Sequence, residues 1–296
     1  MKKADIKIGF LCNNNCRFCV QGDKKHLGNP NTEKVKKILQ EAAKDCEIVV
    51  FTGGEPTIRT DIIKLVRYAK KLKFKIIQIQ SNGRMFAYKD FCRKIIKAGA
   101  NEFALALHGH IPQLHDYLTR SRGSFHQTIQ GIKNLKDLGQ RVIMNTVITK
   151  SNYSHLPEIA KLLINLKVNQ YQFAFVHPLG NAWENFDSIV PPMSLVEPYV
   201  KKGLELGIKA GIKVMTEGIP YCFMKGYEEY IGENIMPKMK IFEENSIVED
   251  FEKSRRKEGK LKGPKCRKCI YFKKCEGPWK EYPEKFGWKE FIPVKK

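Results

Sequence analysis

The chain has 296 residues, 42% of them hydrophobic and 10% aromatic, and a formal net charge of +22 carried mainly by Lys. That length buries a sizeable core, enough for one large α/β unit with a small appendage or two modest units, and the apolar content excludes a disordered chain. No apolar run reaches membrane-spanning length and the basic start leads into no signal-type apolar stretch, so a cytoplasmic protein without membrane contact is expected, whose nine Cys read as metal ligands rather than disulfides.

Short β-rich runs alternate with helical-period segments from the start. The first strand is expected over 6–11 and a helix over 32–44; strands follow at 47–51, 75–80, 102–107, 141–148 and 170–176, separated by helices over 61–72, 89–98, 125–138 and 155–166. Such βα repeats predict parallel strands with right-handed crossovers. There are too few for a closed barrel, so the fold class expected is α/β, a partial (β/α)6 TIM-like barrel with its chemistry at the C-terminal ends of the strands. A further helix is expected over 195–210, after Pro191-Pro192. Beyond about 213 the texture changes to Gly, Pro, aromatics and charge, with four Cys. The division expected is a core over 1–212 and a small Cys-rich, ligand-stapled region over 213–296.

The first strand leads directly into Cys12-Asn13-Asn14-Asn15-Cys16-Arg17-Phe18-Cys19. Three thiolates so close together have three readings: corners of an iron-sulfur cube with one iron left open, half of a zinc site for which His26 is the nearest fourth ligand, or buried structural thiols. The second strand ends in Thr52-Gly53-Gly54-Glu55-Pro56, where the glycines admit close backbone approach and Glu55 can accept from an ammonium. The third ends in Gln80-Ser81-Asn82-Gly83, an Asn-Gly turn. The fourth runs into His108-Gly109 and then Arg120-Ser121-Arg122-Gly123, Asn145 lies on the fifth, and His177-Pro178-Leu179-Gly180-Asn181 ends the sixth. His108, His110, His177 and Glu217 stand at or after strand ends, as proton carriers or as surface groups. Cys46 and Cys92 read as core thiols. Near the C-terminus Cys222 precedes Cys266-Arg267-Lys268-Cys269 and Cys275, a set that suits a tetrahedral zinc or a fully ligated 4Fe-4S cluster. The densest basic run, Lys253 to Lys262, lies beside it.

The CxxxCxxC triad, the GGEP motif one strand later and the Asn-Gly turn one strand after that together resemble the radical SAM superfamily. The CxxCx5C run with an upstream Cys resembles the SPASM/twitch extension of that superfamily, with Trp279 where a fuller version places another Cys. The resemblance implies an open-site [4Fe-4S] cluster on Cys12, Cys16 and Cys19 and bound S-adenosylmethionine (SAM). It assigns SAM contacts to Gly53, Gly54, Glu55, Pro56, Asn82, Arg120 and Asn145, with Arg122 equally eligible for the methionine carboxylate, and it leaves Ala106 where a ribose-binding Ser is usual. One auxiliary [4Fe-4S] cluster is implied on Cys222, Cys266, Cys269 and Cys275. The activity implied is reductive SAM cleavage and hydrogen abstraction from a substrate, with a peptide or protein side chain favoured over a small molecule, and with an electron donor such as ferredoxin or flavodoxin. The Lys are spread along helix faces, a solvated pattern that does not favour a nucleic-acid partner. A zinc-bearing, basic RNA-binding protein is the contrasting reading, with both Cys groups structural.

Overall fold

The computed structural model describes residues 2–243 and 246–295. Nine strands form one sheet: β1 (Lys3–Lys7), β2 (Ile48–Thr52), β3 (Ile76–Ser81), β4 (Glu102–Ala106), β5 (Arg141–Ile148), β6 (Gln170–Phe175), β7 (Lys213–Glu217), β8 (Met239–Phe242) and β9 (Ile247–Val248). Their order is β7-β6-β5-β4-β3-β2-β1-β8-β9. All neighbours are parallel except β8 and β9. The sheet is not closed, and it is the α/β partial barrel expected of a chain that alternates strand and helix.

Helices α1 (Thr32–Ala42), α2 (Ile62–Lys71), α3 (Lys89–Ala98), α4 (Pro112–Thr119), α5 (Ser124–Asp137) and α6 (Leu156–Asn165) connect the strands; two short turns, α7 (Asn181–Glu184) and α8 (Phe186–Ile189), then lead to α9 (Met193–Lys209). Local chemistry sets their starts. Asn31 caps α1 by accepting from the Lys34 amide at 2.9 Å, and Pro112 opens α4 where a missing N–H costs nothing. Asp116 holds the start of α5 by accepting from the Gly123 and Phe125 amides and the Ser124 hydroxyl at 2.6–2.8 Å.

Alternation along the strands separates core from cavity. In β1, Ala4 and Ile6 are fully buried, whereas Lys3, Asp5 and Lys7 line a cavity of about 570 Å³ inside the curved sheet. Gln78 and Gln80, Ile143 and Asn145, Gln172, and Met215 and Glu217 line it from β3, β5, β6 and β7. Such a polar interior is a binding volume rather than a packed barrel core.

Two expectations need correcting. The first strand stands three residues earlier than expected, at Lys3–Lys7, because the apolar run Ile8-Gly9-Phe10-Leu11 turns out of the ladder. Gly9 adopts φ 146°, the Phe10 amide bonds the Gly28 carbonyl, and Arg59 pins the Ile8 and Pro30 carbonyls at 2.6 and 3.0 Å. The region beyond 213 also shares the barrel sheet, since β7 extends it past β6 and β8 pairs with β1.

Candidate functional site

The cysteine loop lies across the C-terminal ends of β1 and β2, packed against the turn that follows β2. The Gly54 amide donates to the Gly9 carbonyl at 2.7 Å and the Glu55 amide to the Leu11 carbonyl at 2.8 Å. A Cβ on Gly53 would stand 2.1 Å from the Gly9 oxygen, and one on Gly54 would stand 2.3 Å from the Leu11 oxygen. The close approach that the glycines allow is therefore to the cysteine loop itself.

Glu55 is the hub beneath that loop. Its side chain, 3% exposed, accepts from the Thr57 amide and hydroxyl, from the Ser81 hydroxyl at 2.8 Å and from the Asn82 amide at 2.7 Å. Burial nonetheless pushes its carboxyl above the ordinary range, against the pull of those donors. Asn82 then donates to the Asn13 side chain at 2.7 Å, so the GGEP turn, the Asn-Gly turn and the cysteine loop form one hydrogen-bonded unit.

Side chains to which the sequence-based expectation gave no such role hold the loop from outside. Arg84 donates to the Asn13 carbonyl, to the Asn14 side chain at 2.8 Å, to Ser121 at 2.9 Å and to Gln127 at 2.6 Å. Lys25 donates to the Asn14 carbonyl at 2.8 Å and the Asn15 side chain at 3.0 Å. Asn181 donates to the Cys16 carbonyl through its side chain at 2.8 Å and to the Cys19 carbonyl through its backbone at 3.0 Å. The Asn15 and Arg17 amides bond the Thr119 and Leu118 carbonyls at the end of α4.

The thiols are close enough to disfavour one another's charge. Burial first, then the nearby Cys19 and Cys12, drive Cys16 well above the usual thiol range. Cys12 is pushed up to about 11 mainly by burial, and burial also raises Cys19. Three half-buried thiols whose ionisation is disfavoured here fit a cationic centre, because a coordinated thiol is held deprotonated.

The second group gathers around a hollow. Cys222, Cys266, Cys269 and Cys275 all line one cavity, walled by Tyr221, Phe272 and Phe291. Burial and the three other thiols raise Cys222 far above its ordinary value. Gly277, at φ 86°, donates to the Cys275 sulfur at 3.3 Å, and a Cβ there would meet the Leu261 oxygen at 1.8 Å. Among the described residues no group of three or more His, Cys, Asp or Glu side chains is drawn together closely enough to hold a metal ion as it stands; the four sulfurs stand around a hollow. Cys46 and Cys92 are core thiols, as expected.

The remaining expected residues are dispersed. Asn145 lines the barrel cavity and accepts from Gln172 at 3.2 Å; Gln172 also donates to Glu217 at 3.2 Å. Burial, then the nearby Glu233, raises the Glu217 carboxyl. Arg120 and Arg122 are exposed, Arg120 in the left-handed region at φ 52°. Pro56 is buried and opens the short turn after Glu55. His108 is a core group: its Nδ1 accepts from the Val147 amide at 3.2 Å, its ring meets Phe18 edge-on at 4.6 Å, and burial drives it well below the usual imidazole range. His177 stacks on Trp279 with ring centroids 3.8 Å apart.

Comparison with known proteins follows this geometry. Residues 6–163 match the Radical SAM superfamily, more than half of the chain. Over 180 residues the chain is 31% identical to a probable GTP 3',8-cyclase of Saccharolobus islandicus, covering 59% of this chain and 57% of that protein. An AdoMet-dependent heme synthase of Oleidesulfovibrio alaskensis is 28% identical over 174 residues, 58% of this chain and 44% of its own length. The chain thus aligns with about half the length of these relatives. Among solved structures, Streptococcus suis SuiB bound to S-adenosylmethionine superposes with a TM-score of 0.71 over 99% of this chain and 76% of that one, at 19% identity. Native anSMEcpe with bound AdoMet superposes with a TM-score of 0.72 over 100% and 93%, at 15% identity. No helix is long and apolar enough to cross a membrane. With the cysteine triad, the GGEP turn and the Asn-Gly turn joined at the mouth of an open parallel barrel, the chain belongs to the radical SAM superfamily, whose members use a 4Fe-4S cluster and SAM.

Proposed function

We propose that this chain is a radical SAM enzyme of the maturase kind, in which Cys12, Cys16 and Cys19 hold an open-site cluster and Cys222, Cys266, Cys269 and Cys275 hold an auxiliary one. The observation that carries this reading is the paired arrangement: three thiols on one clamped loop beside the barrel mouth, and four more lining one separate hollow. The chemistry supplied when the cluster and SAM are bound is reductive cleavage of SAM and hydrogen-atom abstraction from the substrate.

The chain's own residues orient and enclose. Arg84, Lys25 and Asn181 fix the backbone between the three thiols, so the loop that would carry a cluster is held in place before one binds. Gly53, Gly54, Glu55, Pro56 and Asn82 form the floor against which the methionyl part of SAM would lie, with Arg120 or Arg122 for its carboxylate and Asn145 on the cavity side. Because Glu55 already accepts four donors, its role in this reading is chiefly to hold the floor rigid. Val20 and Gln21, next to Cys19, line the same cavity as Asn145 and Glu217, so a substrate entering that cavity meets the cysteine loop directly. Glu217 is the half-buried carboxyl of the cavity lining positioned to hold or accept a proton there.

A peptide or protein side chain is the substrate class favoured. The fold likeness to SuiB and anSMEcpe spans nearly the whole chain, and both of those proteins were solved with peptides, the precursor SuiA and Kp18Cys. A small anionic molecule is the second reading, supported by Lys3 and Lys213 in the cavity lining beside the paired Lys7 and Arg141 and by the likeness to the cyclase. The test is anaerobic reconstitution and a dithionite-driven assay for 5'-deoxyadenosine. The expected result is SAM cleavage that Cys16→Ala abolishes; retained cleavage in that variant would overturn the reading. Added peptide libraries or GTP that change the cleavage rate then separate the two substrate classes.

A further inference from the structure

Between Gly259 and Cys275 the sequence carries seven Lys and Arg and no Asp or Glu. Elsewhere part of the positive charge is paired on helix faces, as in Lys36–Glu33, Arg93–Asp90 and Lys201–Glu197. Here, among the described residues, only Lys260 is held in ion pairs, to Glu233 at 2.6 Å and Glu276 at 3.1 Å, deep in the interior. The other six, Lys262, Lys265, Arg267, Lys268, Lys273 and Lys274, are exposed. Apolar side chains stand among them: Ile270 is 49% exposed, Leu261 47% and Ile292 72%. A groove on this face is lined by Arg267, Ile270, Phe272, Lys273 and Lys274, and Cys269 lines both that groove and the buried four-thiol hollow. Cys269 thus borders both the hollow and a charged, partly apolar surface.

From this placement we infer that the face built from residues 261–274 is the docking surface for an acidic protein that carries single electrons. The inference rests on the proposed auxiliary cluster. Charge complementarity selects the partner's sign, the exposed Ile and Leu fit a protein better than a bare polyanion, and Cys269 explains why the surface is found here. Removal of a hydrogen atom leaves a substrate that must shed one electron and one proton to become a closed-shell product. The electron crosses to the oxidised carrier, which leaves one-electron reduced, and the proton passes to solvent.

The test uses the full, reconstituted chain and a flavodoxin of strongly negative net charge as probe. Three proteins are compared: wild type, the variant Lys265→Glu/Lys268→Glu/Lys274→Glu, and a control with equal charge change on the helix faces, Lys64→Glu/Lys94→Glu/Lys97→Glu. The patch variant is expected to bind about tenfold or more weakly at low ionic strength, with the control within about twofold and all three converging at high salt. Equal weakening in both variants, or none in the patch variant, overturns the inference. So does tighter binding of a single-stranded oligouridylate than of flavodoxin with the same loss in the patch variant, which makes the face a nucleic-acid surface. Iron content and dithionite-driven SAM cleavage are measured in the same samples. If the Cys222→Ala/Cys275→Ala variant retains the full wild-type iron, the auxiliary-cluster reading fails independently of docking; if iron is lost there while the patch variant binds normally, docking alone fails.

Discussion

The two cysteine groups differ in how much of their hold comes from elsewhere in the chain. Both have local bonds: the Cys19 amide to the Cys16 carbonyl and the Asn14 amide to the Cys12 sulfur in the first, the Cys269 amide to the Cys266 carbonyl, the Cys275 amide to the Tyr271 carbonyl and the Gly277 amide to the Cys275 sulfur in the second. The first is clamped in addition by Lys25 and by side chains and backbone far away in sequence, with Gly54 and Glu55 below, Arg84 at its side and Asn181 behind, whereas in the second Cys222 is the member brought in from a distant segment. A centre with an open position needs walls that belong to the cavity, so that a bound cofactor meets residues from several strands. The contrast teaches that the first group should fail through remote substitutions as well as local ones, and the second mainly through local ones.

Arg84→Ala sharpens that contrast most. It removes the clamp on Asn13, Asn14 and Ser121, and outer-shell partners of this kind typically cost 10- to 100-fold in metal affinity or activity, so roughly that loss of SAM cleavage is expected while the C-terminal group keeps its metal. Metal analysis showing both groups depleted equally would break the comparison.

Glu55→Ala is next. It strands four donors from Thr57, Ser81 and Asn82 and should cost about 3 kcal/mol of stability, since buried unsatisfied groups cost about 1–3 kcal/mol each and water can re-enter. Glu55→Gln should cost clearly less. Denaturant midpoints measure both, and an unchanged midpoint for the Ala variant would remove Glu55 as the hub.

Glu217 gives a pH signature. Its carboxyl is raised by burial and by Glu233, so between the ordinary value and the raised one the folded chain binds more protons than the unfolded, and stability falls as pH rises through that window. Glu217→Gln should therefore raise Tm at pH about 8 by roughly 2–4 °C, the shift that about 1 kcal/mol makes in a domain of 150–250 residues, and leave it unchanged near the ordinary carboxyl pKa. A uniform shift at all pH values would contradict the assignment.

The smallest effect on chemistry is expected at His108. Replacement by Leu leaves the Val147 amide without its acceptor and costs about 1–2 kcal/mol, with no change in the pH profile of SAM cleavage. A shifted profile would return His108 to the chemistry.

Much of this was legible in the sequence because the βα alternation is regular: the helix expected over 89–98 and the strand over 141–148 match α3 and β5 end for end. The first strand was misjudged because Ile8-Gly9-Phe10-Leu11 is apolar for a different reason, namely covering the core beneath the cysteine loop, where Ile8 and Phe10 are buried. Strands β7 and β8 escaped notice because Lys213-Val214-Met215-Thr216-Glu217 and Met239-Lys240-Ile241-Phe242 carry the Lys and Glu that face a polar cavity or ion pairs. At the site, the cysteines announced themselves by spacing, whereas Arg84 and Lys25 did not, and Asn181 stood out only as the end of the sixth strand, since a clamp is recognised only by what it touches.

The most direct test of the account is iron and sulfide quantification after anaerobic reconstitution, with the 5'-deoxyadenosine assay, on wild type, Cys12→Ala/Cys16→Ala/Cys19→Ala and Cys222→Ala/Cys275→Ala. The account predicts about eight irons in wild type and about four in each variant, since each group holds one four-iron cluster, with SAM cleavage lost only in the first variant. Zinc in place of iron, or cleavage that survives loss of the N-terminal triad, would contradict it.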